Sequence, residues 1–344
     1  YFGMRKVEII RGTVTLNNSP LYQRLVLDQG YWPDGLLTAP SDDALRRDVE
    51  LTLAMGYNGA RKHQKFEDPR YLYWADKLGL LVWGELPSAY WLRDSQKRNM
   101  MRDLSEAIKR DYNHPCLITW VPINESWGVP FIQTQREAQQ LADALYHMIH
   151  ALDGTRPVSV NDGWEQTCTD LVTIHDYTGW PESLTDAYQD RERLLNGNSG
   201  HWKLTTAVGY DNLGKPMLLT EYGGIAMAKD AGGGNWGYNG SEKDEAAFFK
   251  RFEAITQAFK HLPSFSGYCY TQLTDVFQEV NGLLDMDRNP KVSLEEIDRI
   301  VLVGGATRSP VIRRFVERLF GQKPSLRIDP DVAVALGAAL QCAM

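Results

Sequence analysis

The sequence predicts an α/β fold, a (β/α)8 TIM barrel, in which eight parallel strands alternate with helices. Short β-branched or aromatic runs recur between residues 22 and 275, and amphipathic segments of helical period separate most of them. Two of these runs, ITWVPINESWG and MLLTEYGG, bring a glutamate, Glu125 and Glu221, to the end of a strand. Active sites of barrels lie at the carboxyl ends of the strands, so the pattern predicts a paired-carboxylate site there.

Composition limits the function. The 344 residues are 43% hydrophobic and 24% charged, as in folded globular proteins, and the net charge of −7 gives no reason to expect a nucleic-acid partner. No apolar run approaches the roughly 20 residues of a membrane span. Ten Trp and 16 Tyr suit a carbohydrate site, since aromatic rings pack on the C–H faces of sugars. The oligomeric state is left open.

The beginning of the chain bears on its location. The sequence opens on Tyr1 and not on an initiator methionine. It also does not open with the charged segment followed by an apolar segment that is typical of a signal peptide. We therefore expect that the original N-terminus, with any signal peptide, lies outside this sequence. A cytoplasmic location is favoured.

Four strands and four helices are predicted in residues 22–152. Ser41 is the expected N-cap of the first helix and Gly56 its end, while Pro69 and Gly79 bound the second. The predicted strands are 22–27, 57–61, 80–83 and 117–121, and the helices are 41–56, 68–78, 96–110 and 135–152.

The next segment repeats the pattern. Strands are predicted at 157–160, 171–174, 217–220 and 266–270, with helices at 182–195 and 241–260. The polar residues that follow the eight strands should gather at one face of the barrel. These residues are Asp28, Arg61, Glu85, Asn124, Glu125, Asn161, His175, Tyr177, Glu221 and Gln272.

After Pro290 the sequence changes character. All Trp and Tyr residues precede this point, and residues 291–344 contain only Phe315 and Phe320 as aromatics. A further strand is predicted at 300–303, followed by helices at 309–320 and 330–344. We therefore divide the chain into a remnant of a preceding β-sandwich (1–20), a barrel (21–292) and a foreign tail (293–344).

The tail closely resembles the end of the nucleotide-binding domain of DnaK-type chaperones, through the motifs VGGATRSP and DPDVAVALGAA. The resemblance implies that Gly304, Gly305, Arg308 and Asp331 correspond to residues near the adenosine site. The phosphate loops of that family are not found in this sequence, and a lone glycine pair is a weak phosphate signal. We therefore interpret the tail as a vestigial nucleotide motif joined in a chimera, and we expect no cofactor.

The first 290 residues resemble the catalytic barrel of the family 2 glycoside hydrolases, the β-galactosidase and β-glucuronidase family. The resemblance is carried by RLVLDQGYWPD, YNGARKHQK, LLVWGELPS, TWVPINESWG, IHDYTGW, LLTEYGG and YCYTQLTDVFQEVNGLLDMDRNPK. It implies that Glu125 is the acid/base and Glu221 the nucleophile of a retaining β-glycosidase. Retaining hydrolysis needs one protonated and one ionised carboxyl about 5–5.5 Å apart.

Other residues at the strand ends have expected supporting roles. Arg61 and Tyr177 would orient Glu221, and Asn124 would bind the sugar 2-hydroxyl. His175 is expected either to contact the substrate or to be a buried histidine that hydrogen-bonds within the protein. Sugar hydroxyls are bound, or the residues that bind them are supported, by Asp28, Glu85 and Asp162, and Gln272 at the eighth strand is expected to bind substrate. Nothing in the spacing of Asp28, Glu85, Asp162 and His175 requires a metal.

One departure from the family pattern bears on the substrate. Relatives that cleave glucuronides carry an asparagine followed two residues later by a lysine after the eighth strand. Here Asn281 is followed by Gly282 and Leu283. A terminal neutral sugar, such as a β-galactoside, is therefore expected, cleaved by an exo-acting enzyme. The alternatives are a non-catalytic carbohydrate-binding barrel and a chaperone fragment.

Overall fold

A seven-stranded parallel sheet forms the centre of the molecule. The computed structural model describes residues 1–197, 203–260, 262 and 264–302. Within these residues no helix combines the length and the apolar character needed to cross a membrane. Gly304, Gly305, Arg308, Asp331 and the helices predicted at 309–320 and 330–344 lie outside the described residues.

The strands lie close to the predicted positions. In chain order they are β1 Val7–Ile10, β2 Thr13–Leu16, β3 Ser19–Pro20, β4 Gln23–Asp28, β5 Gly59–Lys62, β6 Leu81–Glu85, β7 Leu117–Val121, β8 Val172–His175, β9 Met217–Gly223, β10 Ala226–Met227, β11 Ser241–Glu242 and β12 Phe265–Thr271. The large sheet has the order β7-β6-β5-β4-β12-β9-β8, and all its pairs are parallel.

The eighth position of the barrel is occupied by residues 157–163, between β7 and β8. Val158 and Asp162 form parallel bridges to Trp120 and Asn124 on the β7 side. On the other side, the carbonyl of Gly163 accepts from His175 N. The predicted strand at 157–160 is therefore a bridged segment, and the curled sheet with its helices agrees with the predicted TIM barrel.

The helices alternate with the sheet strands and follow their expected capping signals. Ser41 Oγ accepts from Ala44 N, and Gly79 ends the second helix in the left-handed conformation. The helices are α1 Asp42–Ala54, α2 Pro69–Leu78, α3 Asp94–Asp111, α4 Arg136–Leu152, α5 Pro181–Tyr188, α6 Arg191–Leu195, α7 Glu245–Lys260 and α8 Leu294–Leu302.

Three predicted elements need correction. The helix predicted at 182–195 is two helices, because Asp190 starts a new one by accepting from Arg193 N. Residues 241–242 pair with β10 before the seventh helix begins. The strand predicted at 300–303 is wrong for residues 300–302, which form the end of α8, where Ile300 and Val301 are buried.

Two apolar layers hold the barrel together. Along β4 the side chains alternate: Leu25 and Leu27 point into the barrel, and Val26 points outward to the helices. The inner layer also contains Val14 and Leu16 of the first hairpin. The antiparallel sheet of β1, β2 and β3 therefore covers the amino-terminal end of the barrel strands.

The last described helix is held to the barrel by a buried lysine. Lys260, at the end of α7, is 7% exposed, and its Nζ donates to the carbonyls of Ile300 and Val301 at 2.9 and 2.8 Å. A cation at these final carbonyls of α8 also complements the helix dipole. This helix therefore packs as the closing helix of the barrel.

Replacing Lys260 by Met should destabilise the chain by about 2 kcal/mol, since two buried carbonyls lose their charged donor. The free energy of unfolding in urea measures the loss. Lys250→Met, on an exposed position of the same helix, is the matched control and should change stability by less than about 0.5 kcal/mol. Equal effects would show that α8 is not docked as described.

Candidate active site

The two strand-end glutamates meet at the carboxyl ends of the barrel strands. Glu125 follows β7 and Glu221 lies within β9. A carboxylate oxygen of each and a ring nitrogen of His175 all lie within 4.8 Å of one another. Residues separated by almost a hundred positions therefore form one cluster.

Arg61 is the hub of this cluster. It is fully buried, and its Nε donates to Glu85 Oε2 while Nη1 donates to Glu221 Oε1, each at 2.8 Å. Nη1 also lies 3.0 Å from Asp162 Oδ2, and Nη2 donates to Asn124 Oδ1 at 2.7 Å. One guanidinium thus fixes side chains from four positions of the barrel.

A register shift in β9 brings Glu221 to this position. Ile174 pairs with Leu219, but the next pair joins His175 to Glu221, so Thr220 is an extra residue. Such a bulge changes the direction of the following side chains and is common beside active sites. Arg61 Nη1 reaches the carbonyl of Thr220 at 3.3 Å.

The segment after β7 ends in a tight turn. Glu125 and Ser126 have φ of 50° and 60°, a left-handed conformation that is uncommon for residues other than glycine. Glu125 N donates to the carbonyl of Asp162, and Ser126 N donates to Asn161 Oδ1. The turn therefore depends on the neighbouring segment 157–163.

His175 connects the two sides of the site. Its Nδ1 lies 2.8 Å from Glu125 Oε1 and its Nε2 lies 3.0 Å from Asp162 Oδ2. Gly163 has a φ of +95°, and a Cβ there would lie 2.4 Å from the imidazole Cγ. A glycine is therefore required for the ring to occupy this position.

The site carries more carboxyl groups than cations. Burial lowers the pKa of His175, but Glu221, Asp162 and Glu125 outweigh it and raise the pKa to about 10. Burial raises the pKa of Glu85 to about 7 against the opposing effect of Arg61. Burial also opposes ionisation of Asp162, yet Arg61 and His175 hold its pKa well below the usual range.

Tyr177 completes the environment of Glu221. Its hydroxyl donates to Glu221 Oε2 at 2.6 Å. The ring stacks on Tyr238 with centroids 4.2 Å apart. Both Glu221 oxygens therefore have a donor, one from Arg61 and one from Tyr177.

The remaining predicted residues lie at the periphery. Asp28 is buried, and its carboxylate accepts from Lys62 Nζ and Gly30 N. Gln272 Nε2 donates to Glu279 Oε1 at 2.9 Å and lies 3.3 Å from Asn281 Oδ1. Asp28 is therefore joined to protein donors, whereas Gln272 belongs to a polar wall of the mouth.

Several site residues were not predicted from the sequence. His63 Nδ1 lies 3.4 Å from Glu85 Oε1, and Gln64 N donates to the same oxygen. Gln29 Nε2 donates to Gln272 Oε1 and lies 3.2 Å from Glu279 Oε2. Their position in the sequence could have predicted two of them, because His63 and Gln29 directly follow barrel strands.

Two groups of donor atoms in the described residues have the proximity of a metal site. One is Glu125, His175 and Glu221, and the other is Asp76, His114 and Cys116 at the opposite end of the barrel. In the first, the Arg61 guanidinium already contacts Glu221 and would repel a cation. In the second, Asp76 Oδ2 lies 2.6 Å from His114 Nδ1, so these two groups already form a hydrogen bond with each other.

Comparison with protein families gives two matches. The model described as "Glycosyl hydrolases family 2, TIM barrel domain" matches residues 7–302, and "Hsp70 protein" matches residues 269–344. A beta-galactosidase of Vibrio cholerae is 25% identical over 94% of this chain and 31% of its own length. The chaperone protein DnaK of Thermosipho melanesiensis is 46% identical over 18% of this chain and 12% of its length.

Solved structures share the barrel. A GH2 beta-galacturonidase from Eisenbergiella tayi superposes with a TM-score of 0.71 and 21% identity, covering 87% of this chain and 55% of that one. A beta-glucuronidase of Bifidobacterium dentium gives a TM-score of 0.69 at 23% identity, covering 87% and 50%. The chain thus spans about half of these structures, and less than a third of the Vibrio relative.

His175→Gln should make stability less dependent on pH. The folded-state pKa of His175 lies above the ordinary value, so its protonation favours folding: the contribution is complete below about pH 6.5 and disappears as pH rises through about 10. The variant should lose on the order of 3 kcal/mol at pH 6 and progressively less toward pH 10. Urea unfolding across this range measures the difference.

The exposed His147 supplies the control, since His147→Gln removes a histidine without buried carboxylate partners. A constant loss across the pH range in His175→Gln would contradict the ion-pair interpretation and indicate a packing role alone.

Proposed function

Because the chain belongs to family 2 of the glycosyl hydrolases through its TIM barrel domain, we propose that it is a retaining, exo-acting β-glycosidase. The observation that carries the proposal is the proximity of Glu125 and Glu221, which have oxygens within 4.8 Å. Retaining enzymes separate the two carboxyl groups by about 5–5.5 Å, whereas inverting enzymes need about 6.5–9.5 Å to admit water.

In the first step, Glu221 Oε attacks the anomeric carbon while protonated Glu125 donates its proton to the departing glycosidic oxygen. The bond to the leaving group breaks as the glycosyl ester on Glu221 forms. Arg61 and Tyr177 orient the nucleophile by donating to its two oxygens. Asn124, whose oxygen is held by Arg61, presents its NH2 group to the sugar 2-hydroxyl.

In the second step, Glu125 is a carboxylate and removes a proton from water. The water oxygen attacks the anomeric carbon, and the ester bond to Glu221 breaks. His175 bridges Glu125 and Asp162 and so holds the acid/base carboxyl toward the reacting oxygen. Asp162 and Glu85 do not touch the substrate. They position His175 and Arg61, which contact the two catalytic glutamates.

The charge of the site suits this reaction. The site contains two cations, Arg61 and His175. Four carboxyl groups contact them, those of Glu85, Glu125, Asp162 and Glu221. While Glu125 is protonated in the first step, the Glu221 carboxylate beside the anomeric carbon stabilises a transition state with oxocarbenium-ion character. Burial, with a smaller contribution from the Asp162 carboxylate, raises the pKa of Glu85 to about 7.

A neutral sugar is the better substrate class, although solved structures with this fold include enzymes for uronides. Glu279 contacts Gln29 and Gln272 on the wall of the mouth. Burial raises the pKa of Glu279 to about 7, so above this pH its carboxylate would repel the carboxylate of a uronic acid. Leu283, at the position where the family resemblance implies a lysine in relatives that cleave glucuronides, is fully buried. The wall therefore favours hydroxyl groups over a carboxylate.

We also propose a two-part chain, with a barrel and a DnaK-like tail. The boundaries expected from the sequence were 1–20, 21–292 and 293–344. Helix α8 falls within both family matches and packs on the barrel through Lys260. This contact supports assigning residues 294–302 to the barrel, with the junction after them.

Glu221→Gly should lower kcat for an aryl β-galactoside at least about a thousandfold, since the bond-forming carboxylate is lost. Release of the aryl group by wild type, the variant and the exposed-site control Glu106→Gln measures this. Azide should restore turnover in the variant by filling the vacated space and attacking the sugar. Undiminished turnover in Glu221→Gly would contradict the assignment of Glu221 as the nucleophile. Sugar binding without hydrolysis by wild type would favour the non-catalytic carbohydrate-binding barrel.

Glu279→Gln should narrow the discrimination between sugars. Wild type should prefer a 4-nitrophenyl β-galactoside to the matching β-glucuronide. At pH 8, above the pKa of about 7 that burial gives Glu279, loss of the Glu279 charge should raise kcat/KM for the glucuronide about tenfold, or about 1.4 kcal/mol. The ratio of kcat/KM for the two substrates reports the change. Glu242→Gln, away from this wall, is the control. A wild-type preference for the glucuronide would reverse the proposed substrate class.

A further inference from the structure

A cleft with aromatic walls opens beside Glu125. It has a volume of about 540 Å3, and we call it the aromatic cleft. Glu125 itself is one of its lining residues. Its other principal residues are Tyr90, Trp127, Phe131, Trp164, Glu165 and Lys203.

Three aromatic rings of the cleft are presented to solvent. Tyr90, Trp127 and Phe131 are 63%, 46% and 72% exposed. Tyr90 and Trp127 meet edge to face with centroids 5.6 Å apart. A cluster of exposed aromatic rings is a costly surface unless it binds something. Such rings pack well on the C–H faces of pyranose units.

Polar groups complete the cleft. Glu165 Oε2 accepts from Ser126 Oγ at 2.8 Å, and Lys203 Nζ lies 3.5 Å from Glu165 Oε1. Lys203 also lies over the Trp164 ring at 4.8 Å. A carboxylate and an ammonium group can accept from and donate to the hydroxyl groups of a sugar. These groups favour a hydroxyl-rich ligand over a purely apolar one.

The cleft lies on the side of the scissile bond that the leaving group occupies. The acid must reach the glycosidic oxygen, so the leaving group lies on the Glu125 side of the scissile bond. Ser126, the next residue, is tied to Glu165 through its hydroxyl. The cleft wall and the acid/base residue therefore share one turn.

Resting on the proposed function, we propose that the aromatic cleft binds the leaving group and that this group is a pyranosyl unit. The substrate is then a β-linked oligosaccharide. Trp127 and Tyr90 would pack on one face of this unit, and Glu165 with Lys203 would contact its hydroxyl groups. These residues thereby determine specificity without touching the sugar that is transferred to Glu221.

The test compares lactose with β-galactosyl fluoride, since fluoride leaves without occupying the cleft. Trp127→Ala should lower kcat/KM for lactose about tenfold or more and leave that for the fluoride within about twofold. Tyr90→Ala should act in the same direction. Tyr112→Ala, an exposed tyrosine outside the cleft, is the control and should change neither value.

Equal losses on both substrates, or no loss on lactose, would overturn the assignment of the cleft. If Trp127→Ala lowers kcat/KM for 4-nitrophenyl β-galactoside more than it lowers kcat/KM for lactose, the cleft favours an aryl leaving group and the assignment of a sugar is overturned. If wild type cleaves no fluoride, the proposed hydrolysis fails, and the cleft is judged by quenching of tryptophan fluorescence on titration with lactose. Quenching lost in Trp127→Ala supports the cleft, and no quenching in wild type overturns it.

Discussion

The buried guanidinium of Arg61 is the interaction on which the site depends. It contacts Glu85, Asp162 and Glu221, and it fixes Asn124. Removing one partner of a buried ion pair costs about 3–5 kcal/mol, because the other charge is left uncompensated. Arg61 is thus required both for the geometry of the site and for holding several carboxylates within one apolar barrel.

The barrel makes this charge cluster possible through its two apolar layers. Inward side chains such as Leu25 and Trp83 fill the interior below the cluster, while the outer layer packs the helices. The interior therefore has a low dielectric constant, which strengthens each ion pair and also penalises unpaired charge. The stronger ion pairs and the penalty on unpaired charge both matter most at the carboxyl ends of the strands, where the charged residues lie.

Sequence patterns predicted much of the barrel because its signals are local. The apolar run in β4, the cap at Ser41 and the stop at Gly79 each act within a few residues. The end of α8 was assigned wrongly because an apolar run such as Ile300–Val301 suits a strand or a buried helix equally well. Its contact with Lys260, distant in sequence, decided between the two.

The sequence by itself determined that Glu125 follows one barrel strand, that Glu221 belongs to another, and that other polar residues would follow the neighbouring strands. Only the tertiary structure decided how these residues meet. The extra residue Thr220 turns Glu221 toward the cluster, and the segment ending at Gly163 makes room for His175. The physical reason is that register, bulges and buried ion pairs depend on contacts between strands, which no local pattern of residues specifies.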